Sequence, residues 1–503
     1  MKSLAFLLSQ LFAFNTQAQT LISEPQKCEQ IILVWGLIKY HHPEVSRGKQ
    51  NWDSVFVRLI DDSEEIKSQE VLDTYLTDFL ARVGTDNLKA GSTRRDDENL
   101  FYKNYDYAWI EDTGFSDTLR ESLLRLKNNT NLGDYYAVVP KLSTIISFDE
   151  ETTLKDFDPD LKSHRLLTLS RFWNIIQYWD VNKYLTDTPW ATVLEELIID
   201  FLDEETSYER DRLKMLSKTN DSHFFMPSRF IYDSLFNHHP PFGCKVINDT
   251  LKVMSIYNDT LAQKNGIHLG DVIIEIEGKP VNEYVKSRFS EFFSVSNRNY
   301  LNRSTSNITL SNDVPTIQVK MLDDEGELIP KVIRLYQTYK VSNPEYLIKP
   351  DSSHWKKLSP EITYINLGQI SSKTFAEAIK ASKDTKGIIL DLRNYPRNIG
   401  INDFSKFFYP EKKEFIRIVA PLNARPALGD ADVEPALKVL GDPFKVGKKS
   451  TKYYRGKLVL LVDRSTGSMA EYFGMAIQQA PNCATIGEQT MGGVMNYTDA
   501  ILP

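Results

Sequence analysis

A serine hydroxyl becomes a nucleophile when a fold sets it beside a base and aims N–H donors at the oxyanion its attack creates. Ser468 stands where a chain can do this, inside KLVLLVDRSTGSMAEYFGMAIQQAPNCATIGEQTMGG, residues 457–493. Lys457 to Asp463 is an apolar run that predicts a buried strand, and Arg464-Ser465-Thr466-Gly467 breaks it. Met469, Tyr472, Phe473, Ala476, Ile477 and Ala480 then fall on one helical face, which Pro481-Asn482 ends. Ser468 is therefore expected at a helix N-terminus, and two readings follow. With Glu471 three residues on it fits a capping box, where the hydroxyl only satisfies backbone N–H groups. Alternatively it is a nucleophile facing the positive end of the helix dipole, with the Met469 N–H as an oxyanion donor. Ser465 comes three residues too early in the turn for either role.

The runs STGSMAEYFGMAIQ and CATIGEQTMGG resemble the nucleophile helix and following strand of the tail-specific, or C-terminal processing, serine peptidases and their tricorn-type relatives. That resemblance implies Ser468 as nucleophile and Glu471 as the helical acid that accompanies it. The tail-specific branch carries a general-base lysine just after its T-x-G element, but the matching position here is Gly493. TMGGV is instead similar to the tricorn branch, whose base is a histidine preceded by serine. Among the eight histidines, His223 in Asp221-Ser222-His223 resembles that pair. The resemblance thus implies His223 as base and Ser222 as part of the relay that orients the site. A neutral imidazole can take the Ser468 proton during attack and return it to the leaving amine.

Two departures from the family bear on activity. Its oxyanion turn reads D-x-R-x-N-x-G-G, whereas DLRNYPRN keeps Asp391 and Arg393 but replaces the asparagine and glycines with Tyr395, Arg397 and Asn398. Pro396 donates no N–H, so the second oxyanion donor is expected from Arg397. Tricorn-type sites also use a glutamate beyond the T-x-G-G run. Ten residues follow Gly493 and none is Glu, so a longer reading frame supplies that residue, or Asp499 or nothing replaces it.

The elements that position these residues are organised as several domains, since 503 residues exceed one core. We expect an α/β multidomain protein: a signal peptide at 1–18, an N-terminal helical domain at 19–160, a helical cap with the Ser-His pair at 161–239, a PDZ-like β domain at 240–342, and a peptidase core at 343–503. For that core the resemblance implies a ClpP/crotonase-like α/β fold. Met1-Lys2-Ser3, the apolar Leu4 to Phe14 and the small residues Thr16 and Ala18 predict cleavage after Ala18 and export to a periplasmic or extracellular space, without a stable membrane anchor. Three cysteines allow one bridge at most. A repeat at an offset of 138 residues pairs Trp35, Ile38, Tyr40, Trp52, Val55, Leu59 and Ile60 with Trp173, Ile176, Tyr178, Trp190, Val193, Leu197 and Ile198. It reads as a duplicated helical hairpin whose aromatics are core, or form a peptide-binding surface. Residues 85 to 160 read as irregular and solvated, with a helical run at Asp117 to Lys127.

PPFGCKVINDTLKVMSIYNDTLAQKNGIHLGDVIIEIEGKPV resembles a PDZ domain through its turns at Gly266 and Gly278 and its LGDVI run. Phe242 and Gly243 fall where the carboxylate-binding loop is expected, which implies capture of an extended chain end. EITYINLGQI, SSKTFAEAIKAS and GIILDLR then read strand, helix, strand, so a parallel sheet is expected.

Composition narrows the partners. With 41% hydrophobic and 25% charged residues, a formal charge of -8 and no basic block, the footprint of a nucleic-acid binder is missing. His41-His42-Pro43 and His238-His239-Pro240 have no third ligand at metal-site spacing, so neither a metal nor a cofactor is expected. The expected partners are polypeptide substrates, engaged through free C-termini; nothing in the sequence fixes the oligomeric state. The expected function is an exported serine peptidase working through an acyl-enzyme. The alternative is a non-catalytic peptide-binding scaffold that retains the peptidase fold.

Overall fold

Helical periodicity around pairs of tryptophans builds the N-terminal half. The computed structural model describes residues 20–88, 101–104, 106–129, 133–139, 145–226, 228–337, 354–421, 426, 428–431, 442–494 and 496–503. The expected signal peptide lies outside the described residues. Helices Glu24–His41 and Trp52–Asp62 form one hairpin, Lys162–Trp179 and Trp190–Leu202 the other. In the first, the Trp35 indole N–H donates to the Trp52 carbonyl at 3.0 Å and Trp52 returns the bond to the Trp35 carbonyl at 3.1 Å. In the second, Trp173 and Trp190 do the same at 2.9 and 3.1 Å. All four rings are buried, so the repeated aromatics are core and not an exposed peptide-binding surface.

Helices from both expected helical regions share one hydrophobic core running from Cys28 to Leu216. Helix Asp117–Lys127 contributes Leu119, Leu123 and Leu126 to it, and Tyr107, Ile110, Phe115, Tyr136 and Phe148 join them. The expectation that residues 85 to 160 are solvated is thereby corrected: the polar composition conceals an apolar face at i, i+4, i+7. Inside the core, Arg171 pairs with Asp53 and Glu151, Lys39 pairs with Glu151, and the Arg171 guanidinium donates to the Thr152 and Ile501 carbonyls at 2.8 and 2.7 Å. The last bond fastens the C-terminal segment to the helical domain. No helix among the described residues is long and apolar enough to cross a membrane.

The middle of the chain is an antiparallel sheet in the order Phe242–Ile247, Thr250–Ile256, Val272–Ile276, Thr316–Leu322, Leu328–Arg334. Gly270 and Gly278 turn with φ of 96° and 75°, a conformation that side chains resist. The sheet packs over Val281, Val285, Phe289 and Leu301 from helices Val281–Phe289 and Arg298–Ser304.

The C-terminal part is an α/β layer. Its sheet runs Cys483–Gly487, Lys457–Val462, Gly387–Asp391, Ile362–Asn366, Trp355–Ser359, parallel throughout except for the last strand. Helix Ser372–Ala381 covers it with Phe375, Ala378 and Ile379, and helix Met469–Gln478 with Phe473, Ala476 and Ile477. Because Gly387–Asp391 and Lys457–Val462 are parallel neighbours in register, the turns after Asp391 and after Val462 leave the same end of the sheet. Crevices at that end are where open α/β sheets bind ligands.

Candidate active site

Ser468 joins strand to helix in a conformation that amino acids with side chains rarely adopt, with φ 55° and ψ -119°. An ordinary N-cap serine has extended backbone and uses its hydroxyl to accept from the helix. Ser468 does neither: its hydroxyl makes no cap hydrogen bond, and the backbone N–H is capped by Glu471 Oε2 at 3.1 Å. The turn is braced by Thr466, whose hydroxyl donates to the Leu392 carbonyl at 3.0 Å and accepts from the Asp463 N–H at 3.0 Å. That bond ties the serine turn to the turn after Asp391. Met469, expected on the buried helical face, is 41% exposed, because the helix's first residue stands clear of the surface that Phe473 and Ile477 cover. As first residue of the helix, its N–H has no intrahelical acceptor.

Glu471 organises the surroundings. Its buried carboxylate accepts from the Ser468 and Gly493 N–H groups at 3.1 and 3.0 Å, from the Gly492 N–H at 2.7 Å, and from the Thr490 hydroxyl. Ser468 N–H also reaches the Gly493 carbonyl at 3.1 Å. One side chain thus fixes residues 490–493 against the helix N-terminus.

His223 arrives on the other side of Gly493. A Cβ added to Gly493 would stand 2.6 Å from His223 Nδ1 and 2.9 Å from its Cε1, so the imidazole occupies the space above this glycine. Ser468 and His223 therefore meet at one residue, the former through a backbone hydrogen bond and the latter through ring packing. No hydrogen bond joins the ring to Ser468, and both ring nitrogens are buried without a hydrogen-bond partner among the described residues. Tyr497 lies against the imidazole, centroids 6.4 Å apart and 22° between planes. Ser222 Oγ lies 2.9 Å from the Met491 carbonyl, accepts from the Ser296 N–H at 2.9 Å, and is 3.2 Å from Ser296 Oγ. Asn297 Nδ2 donates to the Thr490 and Met491 carbonyls at 2.9 and 3.0 Å. Ser296 and Asn297 were not apparent as site residues from sequence, where SVSNRN carries no motif. Gly493 signalled its position only as the place where a lysine was missing.

Residues 361–502 match the family profile described as peptidase family S41. This stretch is an S41 peptidase domain. Among solved structures, the chain is similar to mature CPAF complexed with lactacystin at 9% identity, covering 65% of this chain and 85% of that one with a TM-score of 0.45. It is similar to the photosystem II D1 C-terminal processing protease at 17% identity, 65% and 82% coverage and a TM-score of 0.29. The tricorn protease aligns at 15% identity over 66% of this chain and 30% of its own, with a TM-score of 0.23. Nothing among curated proteins matches.

Beside the Ser468 turn, the segment after Asp391 is held by a fork: Arg393 Nε and Nη2 reach Asp391 at 3.0 and 2.7 Å, and the Tyr364 hydroxyl donates to the same carboxylate at 2.8 Å. Despite its burial, these bonds hold the Asp391 carboxyl below its usual range. Arg397 is exposed, with its guanidinium over the Tyr395 ring at 5.8 Å. In the β domain, Phe242 and Gly243 are the first two residues of a strand, where a loop was expected. Phe242 fills the core at 1% exposure, and among the described residues its strand has a neighbour on one side only. Among the described residues no group of three or more His, Cys, Asp and Glu is placed to hold a metal ion. His41 bonds the Leu37 carbonyl and the Tyr107 hydroxyl, and His238-His239 pairs as a short ladder with Tyr336-Gln337.

Proposed function

We propose that the chain is an exported serine endopeptidase or carboxyl-end-directed peptidase with Ser468 as nucleophile and His223 as general base. The observation that carries this reading is the convergence on Gly493, where a serine of strained backbone and an unpartnered imidazole share one neighbour. Ser468 Oγ attacks the scissile carbonyl carbon while His223 takes its proton, and the imidazolium returns that proton to the departing amine. A water deprotonated by His223 then attacks the acyl-enzyme ester, and Ser468 is released. The Met469 N–H, with Arg397 N–H as the second donor, stabilises the oxyanion in both steps. Ser222 holds the loop of Met491 and so keeps the two reacting side chains aligned. Polypeptide substrates reach the site by adding as a strand to the free edge of Phe242–Ile247, which supports presentation of an extended chain.

The test uses the wild type and Ser468→Ala with an unstructured polypeptide and a serine-directed fluorophosphonate. Wild type should cleave and be labelled, and the alanine variant should lose both by about 10³-fold or more with an unchanged melting curve. Equal labelling of the two removes Ser468 from the mechanism. Carboxylate-dependent peptide binding by a wild type that neither cleaves nor labels makes the protein a binding scaffold.

A further inference from the structure

An imidazole that takes a proton on one nitrogen needs an acceptor for the proton on the other, which also fixes the ring's tautomer. Ser222 does not stand as that acceptor, since its oxygen is engaged with Met491 and Ser296. The carboxylate beside the ring is Asp221: its Oδ1 lies 3.8 Å from His223 Nδ1, and the two side chains are 5% and 10% exposed. The same Oδ1 already accepts the His223 backbone N–H at 2.9 Å, so carboxylate and ring are carried on one rigid turn.

That turn is built to hold Asp221. Asn182 Nδ2 donates to its Oδ2 at 3.0 Å, Ser294 Oγ accepts its N–H at 2.9 Å, and Ser294 Oγ lies 2.7 Å from its carbonyl. Four other groups bear on the pair. Asp180 lies within electrostatic range of Asp221, and burial first, then the Asp221 charge, pushes the Asp180 carboxyl up to about 7. Lys183 interacts in turn with Asp180. The Asn182 N–H donates to Asp180 Oδ1 at 2.7 Å, and the Tyr497 ring stands near-parallel to the imidazole with centroids 6.4 Å apart.

We propose that Asp221 is the positioning carboxylate of the site: it accepts a hydrogen bond from the Nδ1–H of His223, leaves Nε2 as the base for Ser468, and offsets the imidazolium charge during acylation and deacylation. The 3.8 Å separation is too long for a hydrogen bond and closes to one by a modest rotation of the imidazole. This inference rests on the serine-peptidase reading above.

Asp221→Asn preserves the shape and the bond from Asn182's side of the turn while removing the charge. It should lower kcat by about 10²-fold or more, leave KM within about threefold, and move the acid limb of the kcat/KM profile to lower pH. Asp221→Glu should recover part of kcat. A kcat within threefold of wild type with an unmoved limb overturns the assignment. Should Asp221→Asn not fold, proton NMR of Ser468→Ala at low pH decides: a far-downfield Nδ1–H resonance that vanishes in His223→Ala supports the pair, and its absence overturns it. Inactivity of the wild type would instead count against the serine-peptidase reading, and the NMR result would still stand.

Discussion

At Ser468 the backbone is set where only glycine rests easily, at φ 55° and ψ -119°, and the hydroxyl is withheld from the helix cap it was expected to make. Backbone strain of this kind costs roughly 1–3 kcal/mol and persists only where neighbours over-determine it. Here the neighbours are the Glu471 carboxylate and the Gly493 carbonyl on the N–H, with Thr466 bracing the turn. Comparing Ser468→Gly with Ser468→Ala isolates the strain, because both lack the hydroxyl. The glycine variant should be more stable by about 1 kcal/mol in urea unfolding, the relief outweighing glycine's greater freedom in the unfolded chain. Equal stabilities would mean that the conformation is unstrained. The same serine illustrates how far the sequence could be read. Ser-x-x-Glu correctly placed it at a helix start, and Glu471 makes its half of the capping box by accepting the Ser468 N–H, while the Ser468 hydroxyl makes no cap bond. Spacing alone cannot separate a capping hydroxyl from a withheld one, because both depend on the backbone angles of one residue.

The elements were legible where a period repeats. Phe375, Ala378 and Ile379 gave one helix face, and GIILD and LVLLV gave parallel buried strands, because burial imposes a pattern on composition. The tryptophan repeat at an offset of 138 residues likewise marked a true duplication, down to the reciprocal indole-to-carbonyl bonds of each hairpin. What composition hid was the burial of Leu119, Leu123 and Leu126 in a stretch rich in charge, and the placement of Phe242 in a strand, set by the depth of the core it fills. The duplication carries its own prediction. Trp173→Phe keeps the apolar bulk but removes the indole bond to the Trp190 carbonyl, and a lost hydrogen bond whose acceptor keeps its helical donor costs about 0.5–1.5 kcal/mol. Trp35→Phe should cost a similar amount through the Trp52 carbonyl. Thermal or urea unfolding of both variants checks this, and a loss confined to one hairpin would show that the two clasps are not equivalent.

Across the whole molecule, three units converge on residues 490–493. The helical region supplies Ser222 and His223, the β domain supplies Ser296 and Asn297, and the S41 domain supplies Ser468 and Glu471. Arg303 of the β domain also reaches the Ser465 hydroxyl at 3.2 Å, on the turn that leads into Ser468. The β-domain share of this junction, Ser296 and Asn297, was not readable beforehand, since contacts between distant units leave no period in any one segment. On the proposed reading it makes the alignment of Ser468 and His223 depend on how the β domain is seated. Asn297 is the residue to test, because it both caps helix Arg298–Ser304 by accepting the Tyr300 N–H at 3.0 Å and donates to the Thr490 and Met491 carbonyls. Asn297→Asp keeps a good cap but sets a carboxylate against two carbonyl oxygens. With the β domain still folded, kcat on a short peptide should fall about tenfold or more, since a displacement of about 1 Å in reacting groups costs that much or greater. Fluorophosphonate labelling of Ser468 should slow in parallel. If kcat and labelling both stay within twofold of wild type, the seating of the β domain does not govern the site, and Glu471 alone holds the loop.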